Sequence, residues 1–465
     1  MKRIWPIAKM TFKEGLRMRV FLVVLLVLGF AVMRLPFALK GDETLAGRLQ
    51  TFLSYSLGAL GLFMGFATVF MACATLTGEI RTKSIHLVLT KPVNRFELLA
   101  GKWIGVNLLN ILIVLISGAV IYGFAVFIMT RPEKFVRDRI NIRDVIWTAR
   151  EAARPVLPDF RKEATAYVDE QLSRNSAYTQ NRDLAIVLRE KEMLEQFRLI
   201  GPQRIAAFNF ENLTPPERED TAMQVRYKAR GVPIPKDEIV VIDWGILDQA
   251  TGAALFPLQR TEERMTELHQ FLLRQSNVAK DGKATLLVGN PTFPDAPNRY
   301  VLAFEGDDAL ELLYKVGSFE VNFAKSLMLI LFRLGFLSAI GLFFGTFTSF
   351  PVACFCTLSI YLFCIGIPWW MESIGANLPD NQAGAKVDPY GSGGRLVRMV
   401  LVPILTFVLP DFFKYDGVDK LIDGYYISWE LIASGAAHTI IYGLVLLALP
   451  GWLIFRSREI AGVTV

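Results

Sequence analysis

The chain has few of the residues on which catalytic and metal sites depend. Its 465 residues include only three histidines, His86, His269 and His438, which are far apart in the sequence. Neither a His-Glu-x-x-His nor a Gly-x-Ser-x-Gly motif occurs, and no apolar run carries a pair of carboxylates. These absences argue against an enzyme, including one that works within a membrane.

Cysteine and nucleotide-binding motifs are also scarce or missing. The four cysteines, at positions 73, 354, 356 and 364, all lie in apolar runs, so we expect buried thiols and no disulfide framework or metal site. No Gly-x-x-x-x-Gly-Lys-Ser/Thr phosphate loop is present, so this chain should hold no nucleotide cofactor of its own. Basic residues do not cluster on one soluble segment, which excludes nucleic acid as an expected partner.

Long apolar runs, by contrast, are abundant. The chain is 52% hydrophobic and contains 34 phenylalanines, a composition typical of membrane proteins. Six runs have about the 20 residues needed to cross a bilayer; they are residues 20–37, 55–76, 103–129, 323–347, 352–371 and 431–455. Residues 1–19 predict an amphipathic helix on the lipid surface, and no cleavable signal peptide is predicted.

The charges are unevenly distributed and predict the topology. Residues 131–320 hold 27 Lys and Arg against 30 Asp and Glu, whereas the remainder holds 23 against 14. Because basic residues concentrate in cytoplasmic loops, residues 131–320 should lie outside and both termini inside. The sequence therefore predicts an α-helical integral membrane protein with six transmembrane helices and an extracytoplasmic α+β insert.

The insert has two patterns. Residues 132–200 show helical spacing, for example at Val145, Ala149 and Ala152, with Pro155 and Pro158 ending the first helix. Residues 203–318 show short alternating runs separated by turn residues, which predict an antiparallel β-sandwich. The candidate strands are residues 205–210, 222–227, 240–244, 284–288, 300–304 and 310–316. The predicted domains are thus 1–130, 131–320 and 321–465.

A basic, amphipathic segment lies between the second and third apolar runs. It presents Ile80, Leu87, Val88 and Leu89 on one side, presents Arg81, Lys83 and Lys91 on the other, and ends at Pro92. A polar segment in this position must lie at the membrane surface, and its charges indicate the cytoplasmic side. On the residues alone, it is either a docking helix for a soluble partner or an ordinary cytoplasmic loop.

This segment resembles the helix by which type-two ABC exporter permeases dock their ATPase. The resemblance rests on Glu79-Ile80, on the run 87–89 and on Thr90-Lys91-Pro92-Val93-x-Arg95, with the sequence 455–459 similar to the family's basic end. The implied docking residues are Glu79, Ile80, Arg81, Lys83, Leu87, Thr90, Lys91, Pro92 and Arg95. The large insert departs from the family pattern and leaves the substrate class open.

The resemblance implies a bacterial inner-membrane permease that works with partners. These are a separate ABC ATPase carrying ATP and Mg²⁺, a second permease copy or paralogue, and the lipid bilayer, with an envelope protein as a candidate partner of the insert. The alternative is a receptor or scaffold that transports nothing and uses the insert as a binding head. Copurification with an ATPase separates the two hypotheses.

Several polar or small residues lie within the apolar runs. Arg333 is either a contact for an anionic substrate or carboxylate, or a side chain that reaches the headgroups. His438 is either a second residue of the substrate pathway or hydrogen-bonded packing. Three Gly-x-x-x-Gly motifs, at 61–65, 101–105 and 341–345, predict close helix contacts within one chain. Residues 396–416, broken by Pro403, predict an interfacial or re-entrant segment.

Overall fold

The computed structural model describes most of the chain. The described residues are 3–18, 44–84, 94–130, 142–174, 182–214, 222–247, 252–274, 282–367, 415–446 and 450–457, apart from positions 266, 297, 298 and 307 and together with a few isolated positions. These residues form two compact units, Met1–Ile142 with Phe319–Val465, and Arg143–Ser318. We call them the membrane unit and the sheet unit.

The described parts of the membrane unit are mainly helical. Helices are numbered along the whole chain, so two of the numbers belong to the sheet unit and are given with it below. The described helices of the membrane unit are α1 (Ile4–Arg17), α2 (Leu45–Arg81), α3 (Arg95–Met129), α6 (Phe319–Gly345), α7 (Phe350–Ile365), α8 (Gly417–Ile422), α9 (Trp429–Leu446) and α10 (Trp452–Ser457). Among the described residues, three helices, α2, α3 and α6, are long and apolar enough to span a membrane.

The predicted spans correspond to these helices in part. Predicted spans two, three and four lie largely within α2, α3 and α6, whereas span five corresponds to the shorter apolar helix α7. Span six corresponds to α9 and α10, and most of span one and of segment 396–416 lies outside the described residues. At 1.5 Å per residue, the 37 residues of α2 extend about 55 Å, well beyond the hydrocarbon core.

Glycines bring the membrane helices into close contact. A Cβ atom at Gly105 of α3 would lie only 2.6 Å from the Ala8 carbonyl oxygen of α1. At Gly341 of α6, it would lie 2.9 Å from the Ala72 Cβ of α2. The motifs at 101–105 and 341–345 therefore serve packing within one chain, as predicted.

The described residues of the sheet unit form two α-helices and eleven strands. The helices are α4 (Arg161–Arg174) and α5 (Arg182–Phe197). The strands are β1 (Thr148–Ala153), β2 (Leu199–Ile200), β3 (Ile205–Phe210), β4 (Ala222–Tyr227), β5 (Arg230–Val232), β6 (Ile239–Leu247), β7 (Ala254–Arg264), β8 (His269–Arg274), β9 (Ala284–Gly289), β10 (Val301–Ala303) and β11 (Leu310–Ser318). All six predicted strands are present.

The strands form three antiparallel sheets around one core. Their orders are β1-β11-β4-β8, β2-β10-β5 and β3-β9-β6-β7. The core centres on Trp244, which is fully buried and packs against Tyr227 and Phe271 with ring centroids 4.6 and 5.0 Å apart. The predicted antiparallel fold is confirmed, with three sheets in place of the simple two-sheet sandwich.

The prediction of a helix through Val145, Ala149 and Ala152 is wrong. A π-helical turn at Ile142–Ile146 is followed by strand β1, whose residues pair antiparallel with β11 from Thr148 to Ala153. Alanines at helical spacing are compatible with either structure. The deciding interaction is the ladder with a strand that lies far away in the sequence, which local spacing does not encode.

Candidate functional site

The predicted docking segment, residues 79–95, begins in the last turn of α2 and ends at the first residue of α3, and both helices have defined ends here. The Thr82 hydroxyl donates to the Gly78 carbonyl oxygen at 2.9 Å where α2 ends. Where α3 begins, the Asn94 backbone N–H donates to a Glu97 carboxylate oxygen at 3.0 Å. These caps satisfy backbone groups at helix ends, so the segment between them is attached to two fixed points.

A buried ion pair joins the two helices beside these ends. The Lys102 Nζ of α3 lies 2.8 Å from the Glu79 Oε1 of α2 and donates to the Thr75 carbonyl oxygen at 3.2 Å. The two side chains are 1% and 12% exposed. Because an unpaired buried charge is costly, the pair holds α2 and α3 together where the segment leaves and re-enters the helices.

A second carboxylate from α1 lies at the same place. Burial raises the pKa of Glu14, the charge of Lys102 lowers it, and the charge of Glu79 raises it again. Its Oε2 atom is buried without a hydrogen-bond partner among the described residues. The arrangement, which we call the hinge cluster, thus contains Glu14, Glu79 and Lys102, one from each of three helices.

The docking residues predicted from the sequence differ in their surroundings. Glu79 and Ile80 belong to the last turn of α2, where Ile80 packs against an apolar cluster of the membrane unit. Arg81 and Lys83 are exposed. Arg95, the first residue of α3, is partly buried; Leu87, Thr90, Lys91 and Pro92 lie outside the described residues.

Arg333 lies in a polar cluster of the membrane unit. Its guanidinium is 3.2 Å from an Asp416 carboxylate oxygen and lies over the Phe412 ring, 5.6 Å from the centroid. The Tyr361 hydroxyl lies near the Arg333 guanidinium. The Arg333 Nε atom is buried and has no hydrogen-bond partner among the residues described.

His438 has partners within the membrane unit as well. Its Nδ1 hydrogen-bonds the Tyr415 hydroxyl and lies 3.1 Å from the Ser434 carbonyl oxygen. Tyr415 is next to Asp416 in the sequence, so Arg333 and His438 contact adjacent residues of one segment. The structure thus brings the two candidate pathway residues to the same stretch of chain.

Sequence reasoning missed Glu14, Lys102 and Asp416. Glu14 is the only acidic residue among the first 19, which otherwise carry six basic residues. Lys102 directly precedes a run that should cross the bilayer. A lone charge of opposite sign, or a charge at the edge of a span, is a signal for a buried partner, although neither identifies that partner.

Comparison with known proteins supports the family resemblance predicted from the sequence. Residues 5–136 match the family model described as ABC-2 family transporter protein, a segment that includes α1, α2, α3 and the docking segment. The match confirms the predicted resemblance to type-two ABC permeases, which are membrane components of ABC transporters. Together with the apolar helices, it supports a multi-pass membrane protein. Such components generally work with a separate ABC ATPase. No curated protein gives a significant match.

Proposed function

We propose that this chain is the membrane-spanning subunit of an ATP-driven exporter. A separate ATPase, which carries ATP and Mg²⁺, docks on residues 79–95 from the cytoplasmic side. Closure of the ATPase moves this segment, and the spans then change between inward-open and outward-open states. The family match over residues 5–136 supports the class, and the hinge cluster supports the coupling.

The observation that carries this proposal is the Glu79–Lys102 ion pair. A docking segment transmits motion only if the helices on its two sides respond together. Removing one member of a buried ion pair costs about 3–5 kcal/mol, so the contact between Glu79 and Lys102 is costly to break. A displacement of the docking segment should therefore move α2 and α3 together. Glu14 of α1 interacts electrostatically with both members of the pair.

The remaining parts of the proposal concern topology and partners. The charge asymmetry supports six spans in a bacterial inner membrane, both termini in the cytoplasm and the sheet unit outside. A second copy or paralogue completes the pathway. Arg333 and His438 contribute to it, and the Arg333 Nε, which has no hydrogen-bond partner in the described part of the chain, is the group offered to an anionic substrate. The sheet unit receives substrate or binds an envelope protein.

Charge reversal at Arg81 and Lys83 tests the docking. Both side chains are exposed, so the double variant Arg81→Glu/Lys83→Glu should fold and insert normally. The full chain is purified from native membranes in mild detergent, and bound subunits are identified by mass spectrometry. We expect an ATPase to copurify with the wild type and to be reduced about tenfold or more in the variant.

The matched control is Arg161→Glu/Lys162→Glu in the sheet unit. It reverses the same number of charges on exposed residues that the proposal does not use, and it should retain the ATPase. If no ATPase copurifies with the wild type, or if the docking variant retains it fully, the chain is not coupled through this segment. A receptor or scaffold would then be the better interpretation.

A further inference from the structure

One lysine of the membrane unit is buried without a carboxylate beside it. Lys325 lies in the second turn of α6, one of the helices long and apolar enough to span a membrane, and it is 2% exposed. Among the described residues, no carboxylate forms an ion pair with its ammonium. Because a buried cation is costly unless other groups replace its water, the groups around Lys325 show what it holds in place.

The ammonium is surrounded by the connection between α8 and α9. Its Nζ donates to the Ile427 carbonyl oxygen at 2.8 Å. It also lies over the rings of Tyr426 and Trp429, 4.0 and 4.4 Å from their centroids. Aromatic faces attract a cation, most strongly where water is absent. One carbonyl group and two rings thus take the place of a carboxylate, and all three belong to residues 426–429.

Asn322 holds the same connection from the preceding turn of α6. Its side-chain amide donates to the Tyr425 carbonyl oxygen at 2.7 Å and accepts from the Ile427 backbone N–H at 2.8 Å. Residues 322 and 325 are three apart, so they lie on one side of the helix. Together they attach residues 425–429 to α6, largely through backbone groups of the connection.

On the α8 side, short-range hydrogen bonds link this connection to the Arg333 cluster. The Tyr425 N–H donates to the Lys420 carbonyl oxygen at 2.7 Å where α8 ends. Where α8 begins, the Asp416 Oδ1 accepts from the Val418 N–H at 2.9 Å, and the other carboxylate oxygen is the one that lies 3.2 Å from Arg333. The position of Asp416 therefore depends on where the connection is held.

On the other side, the connection leads into the helix that carries His438. Helix α9 begins at Trp429, and at 1.5 Å per residue His438 lies about 14 Å further along it. There the Tyr415 hydroxyl hydrogen-bonds the His438 Nδ1 and lies 3.0 Å from the Ser434 hydroxyl. Tyr415 directly precedes Asp416, so α9 meets the start of the α8 arm at this point. A small rotation at the connection would separate Tyr415 from His438.

We propose that Lys325 is a positioning residue for the substrate pathway. By fixing the connection between α8 and α9, it sets His438 against Tyr415. The same connection places Asp416 beside Arg333. The inference rests on the proposed function in one respect, since Arg333 and His438 are pathway residues only under that proposal. Without the ammonium, the carbonyl oxygen and the two rings have no common partner, and the angle between α8 and α9 is no longer fixed.

Histidine NMR tests this assignment, because the chain contains only three histidines. The full chain is labelled with ¹⁵N-histidine, reconstituted in liposomes and measured by magic-angle-spinning NMR without substrate or ATPase. His438→Gln identifies the His438 signals by their loss. In the wild type, the Nδ1 signal should have the shift of a hydrogen-bonded ring nitrogen. Lys325→Met, which keeps an unbranched side chain without its charge, should move this signal toward that of a nitrogen with no hydrogen bond.

Two further variants separate positioning from a loss of folding. Trp429→Leu removes one ring from the ammonium at a position that is 59% exposed, so it should leave the fold intact and move the same signal by a smaller amount. The matched control Lys420→Met removes an exposed lysine of α8 and should leave the His438 signal unchanged. The signal of His269, which lies in the sheet unit, should be the same in every variant.

A fluorogenic dye that reacts with the four cysteines as the membrane unit unfolds shows whether Lys325→Met is folded. An unchanged His438 signal in folded Lys325→Met would overturn the assignment. If that variant does not fold, an unchanged signal in Trp429→Leu would overturn it instead. An equal shift in Lys420→Met would do the same, since removing any nearby charge would then be sufficient. The spectra are recorded without an ATPase, so failure here and failure of the docking proposal are distinguishable.

Discussion

The membrane unit and the sheet unit differ in the contacts that join their main elements. In the membrane unit, helices come close together where a side chain is absent, as at Gly105 against Ala8 and at Gly341 against Ala72. In the sheet unit, the centre of the core is the largest side chain available, Trp244, surrounded by other aromatic rings. Helices in lipid gain little from burying apolar area and rely on close backbone approach, whereas sheets gain most by removing large apolar surfaces from water.

The two units also treat charge differently. Lys102 and Lys325 of the membrane unit are 1% and 2% exposed, and each donates to a backbone carbonyl oxygen, of Thr75 and Ile427 respectively. In the sheet unit, Arg260 pairs with Asp243 in a bidentate contact but is itself more than half exposed. The two buried lysines of the membrane unit thus hold helices together, whereas Arg260 covers neighbouring strands. The sheet unit has a buried cation as well, Arg150, which donates to Gln224 of another strand.

The substitution expected to change stability most is at Trp244, the centre of the aromatic core of the sheet unit. Trp244→Ala removes the centre of the aromatic core and the hydrogen bond from Nε1 to the Thr261 hydroxyl, so the sheet unit should lose about 3–5 kcal/mol of stability. Pulse proteolysis in increasing urea measures this loss. The matched control Leu258→Ala, at an exposed position of β7, should have little effect.

The same variant tests whether the units are independent. All four cysteines lie in the membrane unit, so a fluorogenic thiol dye reports the unfolding of that unit alone. Trp244→Ala should leave the thiol-reactivity midpoint of the full chain unchanged. A midpoint that falls together with the proteolytic stability would show that the two units unfold as one.

A smaller loss of stability is expected where helix packing in the membrane unit depends on a glycine. Gly105→Ala places a Cβ atom within 2.6 Å of the Ala8 carbonyl oxygen and 2.7 Å of the Thr11 Cβ, so α1 must move away from α3. Overpacking of this kind costs about 1–3 kcal/mol. The thiol-dye midpoint should fall accordingly.

Gly123 provides the control for this substitution. It lies on the same helix, and a Cβ atom there would meet nothing within 4 Å. Gly123→Ala should therefore be neutral or slightly stabilising, because alanine is the better helix former. If both substitutions lower the midpoint equally, the effect comes from the α3 backbone and the close contact with α1 is not the cause.

Local patterns predicted those parts of both units that depend on local interactions. Apolar length indicated α2, α3 and α6, and alternation indicated six strands, because a span or a half-buried strand carries its own pattern. Pairings between distant segments could not be predicted in this way. Strand β1 depends on β11, and the contacts of Lys102 with Glu79 and of Arg333 with Asp416 depend on which helices are neighbours.

In the docking segment, too, local sequence patterns did not predict the contact with a distant residue. Its motif indicated the class correctly, but the sequence alone suggested that Glu79 and Ile80 open a separate docking helix. In the structure, they end α2, and Glu79 faces the Lys102 ammonium within the unit. Residues that carry the family resemblance thus divide into those, such as Glu79, that contact a neighbouring helix and those, such as Arg81 and Lys83, that are exposed.

The smallest expected effect concerns Glu14 and the charge of the hinge cluster. Burial raises the pKa of Glu14 above its ordinary value of 4.5, so the folded state holds this proton more tightly than the unfolded state. The corresponding stability is present at pH values below 4.5 and is lost as the pH rises through the raised pKa.

Glu14→Gln has no charge to bury, and it should raise the thiol-dye midpoint at neutral pH and change it little below pH 4.5. The gain should be less than the loss at Gly105, because Glu14 is only partly buried and Lys102 offsets part of the cost. The exposed control Glu262→Gln in the sheet unit should leave this midpoint unchanged at every pH. A lower midpoint for Glu14→Gln at neutral pH would show that the ionised carboxylate strengthens the cluster through Lys102, and that burial is the smaller of the two effects.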